Sequence, residues 1–401
     1  MREKIKKHCN IISGYAFKSS DLQAEESIPV IKIGNISNGK NVIIDSETQY
    51  VNNKFLTLDR KYHICKGDIL ISLTGSHMNQ PNSMVGRACR SYEDRIFLLN
   101  QRAGKVICNV GTDKDYIYYL LITKAIKDSI ATRAYGAANQ VNVSPTDIMN
   151  IKWDFHDYEE QKRISSILVA YDNLINVNNK RVRTLEQMAE CLYVEWFVRF
   201  RFPGYEKAEF VNDSPRGWTL ASTTKPRCPK GWHYGRFSEL GLFVRGKNIT
   251  SAEMENGEIP VISAGLGPSG YHNDSNVKGK SLTISASGAN AGYLKYNLDD
   301  IWAADCSYYQ NGENIWFAYC SLKHLQPVIS NLQCGAAQPH VHPKHINRLS
   351  AIIPPNDVIK AFCETITPFF EDINKLTKEN NVLIQQRDLL LPRLMSGRLE
   401  V

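Results

Sequence analysis

Gly136-Ala137-Ala138-Asn139-Gln140-Val141-Asn142-Val143-Ser144-Pro145-Thr146-Asp147-Ile148 returns, one residue shorter, as Gly335-Ala336-Ala337-Gln338-Pro339-His340-Val341-His342-Pro343-Lys344-His345-Ile346. Gln140, Val143, Pro145 and Ile148 fall on Gln338, Val341, Pro343 and Ile346 at one constant offset of 198 (346 − 148). Upstream the offset grows. Ile28-Pro29-Val30-Ile31 returns as Ile259-Pro260-Val261-Ile262 at 231 (259 − 28), and Gly14 matches Gly246 at 232 (246 − 14). One shared residue type is chance, but an ordered series marks a duplicated unit. The falling offset makes the first copy the longer, with an insertion near residues 40–60.

Each copy reads alike. Short apolar runs at 68–73 and 281–285, bounded by Gly and polar turns, suit buried strands. A helical stretch follows at 116–131, with a weaker counterpart at 315–332, then the Gly-Ala-Ala loop, then strand-like runs at 148–155 and 346–353. The expected fold class is α+β.

From Glu159 the period changes. Ile164, Leu168, Tyr171, Ile175, Asn178, Val182, Leu185, Ala189, Leu192 and Trp196 alternate spacings of four and three, the seam of a coiled coil. The offset of 198 carries this seam to Ile366, Phe369, Ile373, Leu376, Asn380, Leu383, Arg387, Leu390 and Leu394. Proline is absent between Glu159 and Phe202 and between Phe369 and Leu391, so each run reads as one long helix. Either helix could pack on its own domain. As equivalent elements of a duplicated molecule, however, they are expected to pair with each other, antiparallel. Asn178 and Asn380 place amides in the seam, where they can set register or lie at a solvated edge. A helix of roughly 38 residues would span about 57 Å, beyond the roughly 34 Å of one DNA turn.

The 401 residues suggest two domains or more, and 43% hydrophobic with 22% charged residues suits a folded protein. A net charge of +7 is compatible with a polyanionic partner without requiring one. The ten cysteines are scattered with no C-x-x-C pair, which suggests reduced thiols in a cytoplasmic protein. No signal peptide or membrane span is read, so no membrane partner is expected.

The Gly-Ala-Ala…Gln…Pro…Ile pattern closing each globular unit, together with the ending Leu389-Leu390-Leu391-Pro392-Arg393-Leu394-Met395-Ser396-Gly397, resembles the specificity subunit of type I restriction–modification enzymes. The resemblance spans the chain. Leu192-Tyr193-Val194-Glu195-Trp196-Phe197 is similar to a variant of the family's central helix end, while Trp232, ahead of Gly246, has no counterpart before Gly14. The resemblance implies two pseudo-repeated α/β target-recognition domains separated by two long helices forming an antiparallel coiled coil. The expected divisions are a first recognition domain at 1–155, the central helix at 156–202, a linker at 203–231, a second recognition domain at 232–355 and the C-terminal helix at 356–401. It further implies that each domain reads one half of a bipartite, asymmetric site in double-stranded DNA. Two methyltransferase subunits would dock on the helices and restriction subunits would join them. S-adenosylmethionine and ATP would belong to those partners, leaving this chain without cofactor and without catalysis. The alternative is a stand-alone DNA-modifying enzyme, an adenine methyltransferase or nuclease; a scaffold that merely dimerises would leave the duplicated domains unexplained.

Catalytic motifs fail residue by residue. Gly279-Lys280-Ser281 would need Gly where Asp274 stands to close a phosphate loop. Ile353-Pro354-Pro355-Asn356 lacks the leading Asp or Asn and the trailing aromatic of an amino-methyltransferase motif. His340, His342 and His345 near Cys334 offer metal-ligand types, but their counterparts Asn142, Ser144 and Asp147 do not, so no metal is expected.

Amides, guanidiniums and short polar groups read base edges, while Lys and Arg grip phosphates. The first copy offers Thr74, Ser76, His77, Asn79, Gln80, Tyr135, Asn139 and Gln140, and the second Ser287, Asn290, Gln338 and His340. Lys18, Arg87, Arg133, Arg245, Lys247 and Lys295 are the expected phosphate contacts. Base readers should differ between copies, which favours Asn79, Gln80 and Asn290 over the repeated Gln140 and Gln338.

Overall fold

The computed structural model describes residues 2–23, 27–45, 47–76, 83–136, 140–211, 227–332 and 340–401, with 137 and 212 by backbone alone. The chain divides into two units, residues 1–176 with 380–401, and residues 177–379. Each unit therefore holds half of each long helix.

The two units repeat one topology. In the first, Cys9–Ser13, Ala103–Cys108, Ile69–Ser72 and Ala88–Arg90 form an antiparallel sheet in that spatial order. In the second, the order is Val244–Arg245, Cys306–Tyr309, Ser281–Ser285 and Leu294–Asn297. The repeated Ile-Pro-Val-Ile strands, Ile28–Ile31 and Ile259–Ile262, each pair in parallel with the strand before the sheet's second member, Phe97–Leu99 and Trp302–Ala303 respectively. Glu3–Lys4 pairs with Lys152–Trp153, and His233–Arg236 with Ser350–Ile353.

The anchoring glycines occupy equivalent crossings. Gly14 N–H donates to the Ala103 carbonyl and Tyr15 N–H to Leu99; Gly246 N–H donates to Cys306 and Lys247 N–H to Ala303, all within 2.8–3.0 Å. A Cβ on Gly14 would lie 2.3 Å from the Leu99 oxygen, and one on Gly246 2.5 Å from those of Ala303 and Ala304. Only glycine allows backbone to approach backbone so closely.

Three local readings change. The stretch 315–332 is two helices, Ile315–His324 and Gln326–Ser330, parted at Leu325. The stretch 116–131 is two helices, Lys114–Ile122 and Lys124–Ala131, because Thr123 is extended (ψ 147°) and its hydroxyl caps the second by accepting from Ile126 N–H. Ile148 lies in a short helix, Pro145–Met149, not in a strand. Pro145 suits the first turn, and Ser144 with Asp147 forms a reciprocal capping box. Pro343–Ile346 repeats that turn.

The long helices run Tyr158–Tyr193, extended by a π-turn over Val194–Val198, and Asn356–Met395. The second starts earlier than the proline-free stretch and continues through Pro368, which offers no N–H to the Glu364 carbonyl. Buried Ile366 and Phe370 hold the helix across that gap. Within the second unit, Asn178 Nδ2 donates to Glu379 Oε2 at 3.2 Å and Trp196 packs on Phe362 at 5.5 Å between ring centroids. One number rises while the other falls, so the halves are antiparallel. Within the first unit, Arg387 meets Asp172 at 2.6 Å and the His156 ring lies 3.5 Å from the Cβ position of Gly397, so here too one number rises while the other falls.

Every expected seam residue is at least partly covered. Ile164, Leu168, Asn178, Ile366, Ile373, Leu376 and Asn380 are buried; Tyr171, Ile175, Val182, Leu185, Leu192, Phe369, Leu383 and Leu390 are half-buried. Beside half-buried Leu192, Phe369 and Leu390 the next residue, Tyr193, Phe370 or Leu391, is the deeper one, and the seam is back in phase at Trp196, Ile373 and Leu394.

Inside the region 203–231, Phe210–Asn212 pairs with Arg227–Pro229. Trp232, unmatched in the first copy, is buried against Phe197, Phe200 and Phe202. Among the described cysteines, Cys65 and Cys191 are exposed, whereas burial pushes the Cys9, Cys89 and Cys306 thiols up to about 12.

Candidate nucleic-acid interface

Two segments far apart in sequence meet at the same place in each unit. In the first, Thr74–Gly75, Gln140–Asn142 and Tyr135–Ala137 form a small sheet with Gln140–Asn142 in the middle. Val143 N–H donates to the Leu73 carbonyl at 2.9 Å; in the second unit Val341 N–H donates to Ala286 at 3.0 Å. Thr74 pairs with Asn142, and Ser287 forms a bridge with His340. Thr74 and Ser287 are thus equivalent, as are Asn142 and His340. The shared backbone bonds build the same loop pairing on two different sets of side chains.

Gly136 makes the first hairpin possible. Its φ is 137°, and a Cβ there would stand 2.3 Å from the Gln140 oxygen. Beside it Tyr135 is 59% exposed, and Gln140 is exposed as well. These two present an aromatic face and an amide from one surface.

The other candidates divide by what already holds them. Thr74 is buried and its hydroxyl is bonded to Asn142 Oδ1 at 2.8 Å, so it organises the loop. Ser76 is half-buried, its carbonyl accepting from Ser83 Oγ. Arg87 Nε donates to the Ser83 carbonyl at 2.9 Å, and Arg133 to Ser129 at 2.7 Å from an exposed turn. Ser287 and Arg245 both bond to Asp305. Exposed Lys247 lies 5.9 Å from the Trp302 ring centroid, and Asn290 ends a 3-10 turn half-buried. Lys18 is exposed at the start of another such turn, away from the paired loops in sequence. Lys295 is not in a loop at all. It sits half-buried in the strand Leu294–Asn297, where burial lowers its ammonium pKa. His77, Asn79, Gln80, Asn139 and Gln338 lie outside the described residues.

One pair of positions escaped the sequence reading. Leu73 N–H donates to the Arg102 carbonyl at 3.0 Å, and Ala286 N–H to Asp305 at 3.3 Å, which makes Arg102 and Asp305 equivalent. Gln101 and Arg102 are exposed beside the paired loops, and their side chains have no partner among the described residues. In the second unit the same turn carries Ala304 and Asp305. The signal for this divergence is the repeat itself, which sets Gln101-Arg102 against Ala304-Asp305.

The imidazoles of His340, His342 and His345 follow one another at 6.3 and 5.7 Å, and among the described residues no set of three His, Cys, Asp or Glu could hold a metal. No helix among the described residues is long and apolar enough to cross a membrane.

The family model described as the type I restriction modification DNA specificity domain matches residues 3–187 and 229–386. The chain is 26% identical over 328 residues to the type I restriction enzyme MjaIX specificity subunit of Methanocaldococcus jannaschii, covering 75% of this chain and 73% of that one. It is 22% identical to the HindI specificity subunit of Haemophilus influenzae, covering 90% and 94%. In fold it is similar to the S subunit of a type I restriction–modification system from M. genitalium, with a TM-score of 0.56 at 17% identity over 98% of this chain and 95% of the other.

Proposed function

The chain belongs to the type I restriction modification DNA specificity family, and from that membership we propose that its two units read the two halves of a bipartite, asymmetric target in double-stranded DNA. The observation that carries this reading is the pair of equivalent loop sites with identical backbone bonding and different side chains: Thr74, Asn142 and Arg102 in one, Ser287, His340 and Asp305 in the other. Two copies of one scaffold can approach two half-sites alike, while side chains that differ select different base edges. The first unit, where the Gln101 and Arg102 side chains have no partner among the described residues, offers donors that suit a purine edge. In the second, Asp305 orients Arg245 and Ser287.

The chain is the recognition subunit and not the enzyme. Methyltransferase subunits docked on the paired helices, with S-adenosylmethionine, would supply methylation. Restriction subunits with ATP would supply cleavage. The helices would set the gap between the half-sites.

Co-purification with a methyltransferase subunit, followed by adenine-methylation mapping, tests this reading. The expected product is one bipartite motif, and lengthening both helices by whole turns should change only its gap. Arg102→Ala should relax specificity at one base of one half-site, a loss of about 1–3 kcal/mol of discrimination, and leave the other half unchanged. Methylation by the chain alone, or a motif with one continuous half, would overturn it.

A further inference from the structure

The duplication supplies an internal comparison at the outer edge of each four-stranded sheet. In the first unit that edge is Ala88–Arg90, and residues 39–41 cover it. Gly39 N–H donates to the Ala88 carbonyl at 2.8 Å, Arg90 N–H donates to Lys40 at 3.2 Å, and Asn41 lies parallel beside Arg90. The chain then sinks Val42 into an apolar cluster with Ile36, Leu70 and Cys89. These covering residues belong to the region of the insertion that makes the first copy longer.

Among the described residues the second unit has no such cover. Leu294 and Tyr296 are the equivalents of Ala88 and Arg90, opposite Ile284 and Leu282 as those are opposite Ile71 and Ile69. Among the described residues nothing pairs with the outward Leu294 carbonyl or Tyr296 N–H. A cavity of about 460 Å³ runs along this edge, lined by Pro260, Ile262, Tyr293, Leu294, Lys295 and Tyr319 among others. Two of its acids are ion-paired, Asp299 with Lys378 and Asp300 with Lys278, each at 3.0 Å, while Glu186 accepts from the neutral Tyr296 Oη at 3.1 Å and keeps its charge. Two cations on its wall, Lys295 and Lys323, have no partner among the described residues. Two unpaired cations against one unpaired carboxylate, among the described residues, leave the wall net positive.

We propose that the edge strand Leu294–Asn297 is a docking site for an extended, acidic segment of a methyltransferase subunit, paired along it as residues 39–41 pair along Ala88–Arg90. This rests on the functional reading above. An open edge is a template for another strand, and added strands bind through main-chain bonds with pockets for alternate side chains. Pro260, Ile262 and Tyr319 form such a pocket, and Lys295 meets the carboxylate. A DNA backbone is the poorer occupant, because phosphates only accept hydrogen bonds and the Leu294 carbonyl needs a donor.

The test uses the full chain, free and bound to the co-purified methyltransferase subunit. In the free chain the Tyr296 amide should exchange rapidly with solvent, and complex formation should slow it and the segment 293–298. Lys295→Glu should weaken the complex about tenfold, while Lys295→Arg should not. A bound subunit with unchanged Tyr296 exchange and unaltered Lys295→Glu affinity would sink the docking site and leave the functional reading intact. Protection by duplex DNA alone would assign the edge to DNA and overturn the proposal. Failure of the wild-type chain to bind any methyltransferase subunit would remove the functional reading, and the docking site with it.

Discussion

Arg387→Ala is expected to destabilise the first unit by about 3–5 kcal/mol, because it strands a buried carboxylate. Arg387 and Asp172 are 8% and 5% exposed. The guanidinium donates to Asp172 Oδ1 at 2.6 Å, Tyr119 Oη donates to Asp172 Oδ2 at 2.7 Å, and Asp388 takes the remaining guanidinium face at 2.8 Å. Asp172 also raises the pKa of Arg387, an effect that burial alone would oppose. With the arginine gone, one tyrosine hydroxyl remains to solvate the charge. Replacing both partners at once is a different case. The offset of 198 carries Asp172 to Phe370 and Ala189 to Arg387 (387 − 189), so the second unit holds an apolar pair, Phe370 and Ala189, where the first holds the ion pair. Asp172→Leu with Arg387→Met should therefore recover most of the loss. Urea unfolding of the single and double variants measures both. A single-variant loss under about 1 kcal/mol would place this pair among ordinary surface bridges.

Gly246→Ala should cost about 3 kcal/mol or more, since its new Cβ meets the carbonyl oxygens of Ala303 and Ala304 at 2.5 Å, and the first, which accepts from Lys247 N–H and Asn276 Nδ2, cannot yield without breaking those bonds. Gly14→Ala should do the same in the first unit, where the oxygens of Leu99 and Asn100 lie 2.3 and 2.4 Å away. The damage should stay local, because each crossing joins strands of a single unit. Hydrogen exchange should report it as faster opening around 97–108 for Gly14→Ala and around 302–309 for Gly246→Ala. Gly312→Ala is the control. It has open space around its Cβ position and no positive φ, so a change within about 0.5 kcal/mol is expected. Equal losses at all three sites would mean that backbone freedom and not close approach governs these glycines.

The repeat and the helix pair were legible because both are written in local spacing. The offset survives any folding, and a seam every 3.5 residues survives at every heptad. Its misses are local: at Leu192, Phe369 and Leu390 the next residue, Tyr193, Phe370 or Leu391, is the buried one, and the seam resumes in phase beyond each. The break at Thr123 and the turn at Pro145–Met149 were harder, because a single hydroxyl or carboxylate decides them against the apolar pattern of their neighbours.

The candidate interface was legible by region and not by residue. Tyr135 and Gln140 stand exposed where expected, but Thr74 is buried under its own loop and Lys295 lines a cleft in a strand. Arg102 was missed because its place beside Leu73 depends on a bond between segments 29 residues apart (102 − 73). The amino-acid sequence by itself determined the duplication, the α+β class and two helices that pair, since periodicity and repetition are properties of the chain. Tertiary structure alone decided which groups the two copies share and which they do not: the Asp172–Arg387 pair, 215 residues apart, and the edge that is covered in one unit and, among the described residues, open in the other. Those are differences in contact, and contact depends on where distant segments are brought to rest.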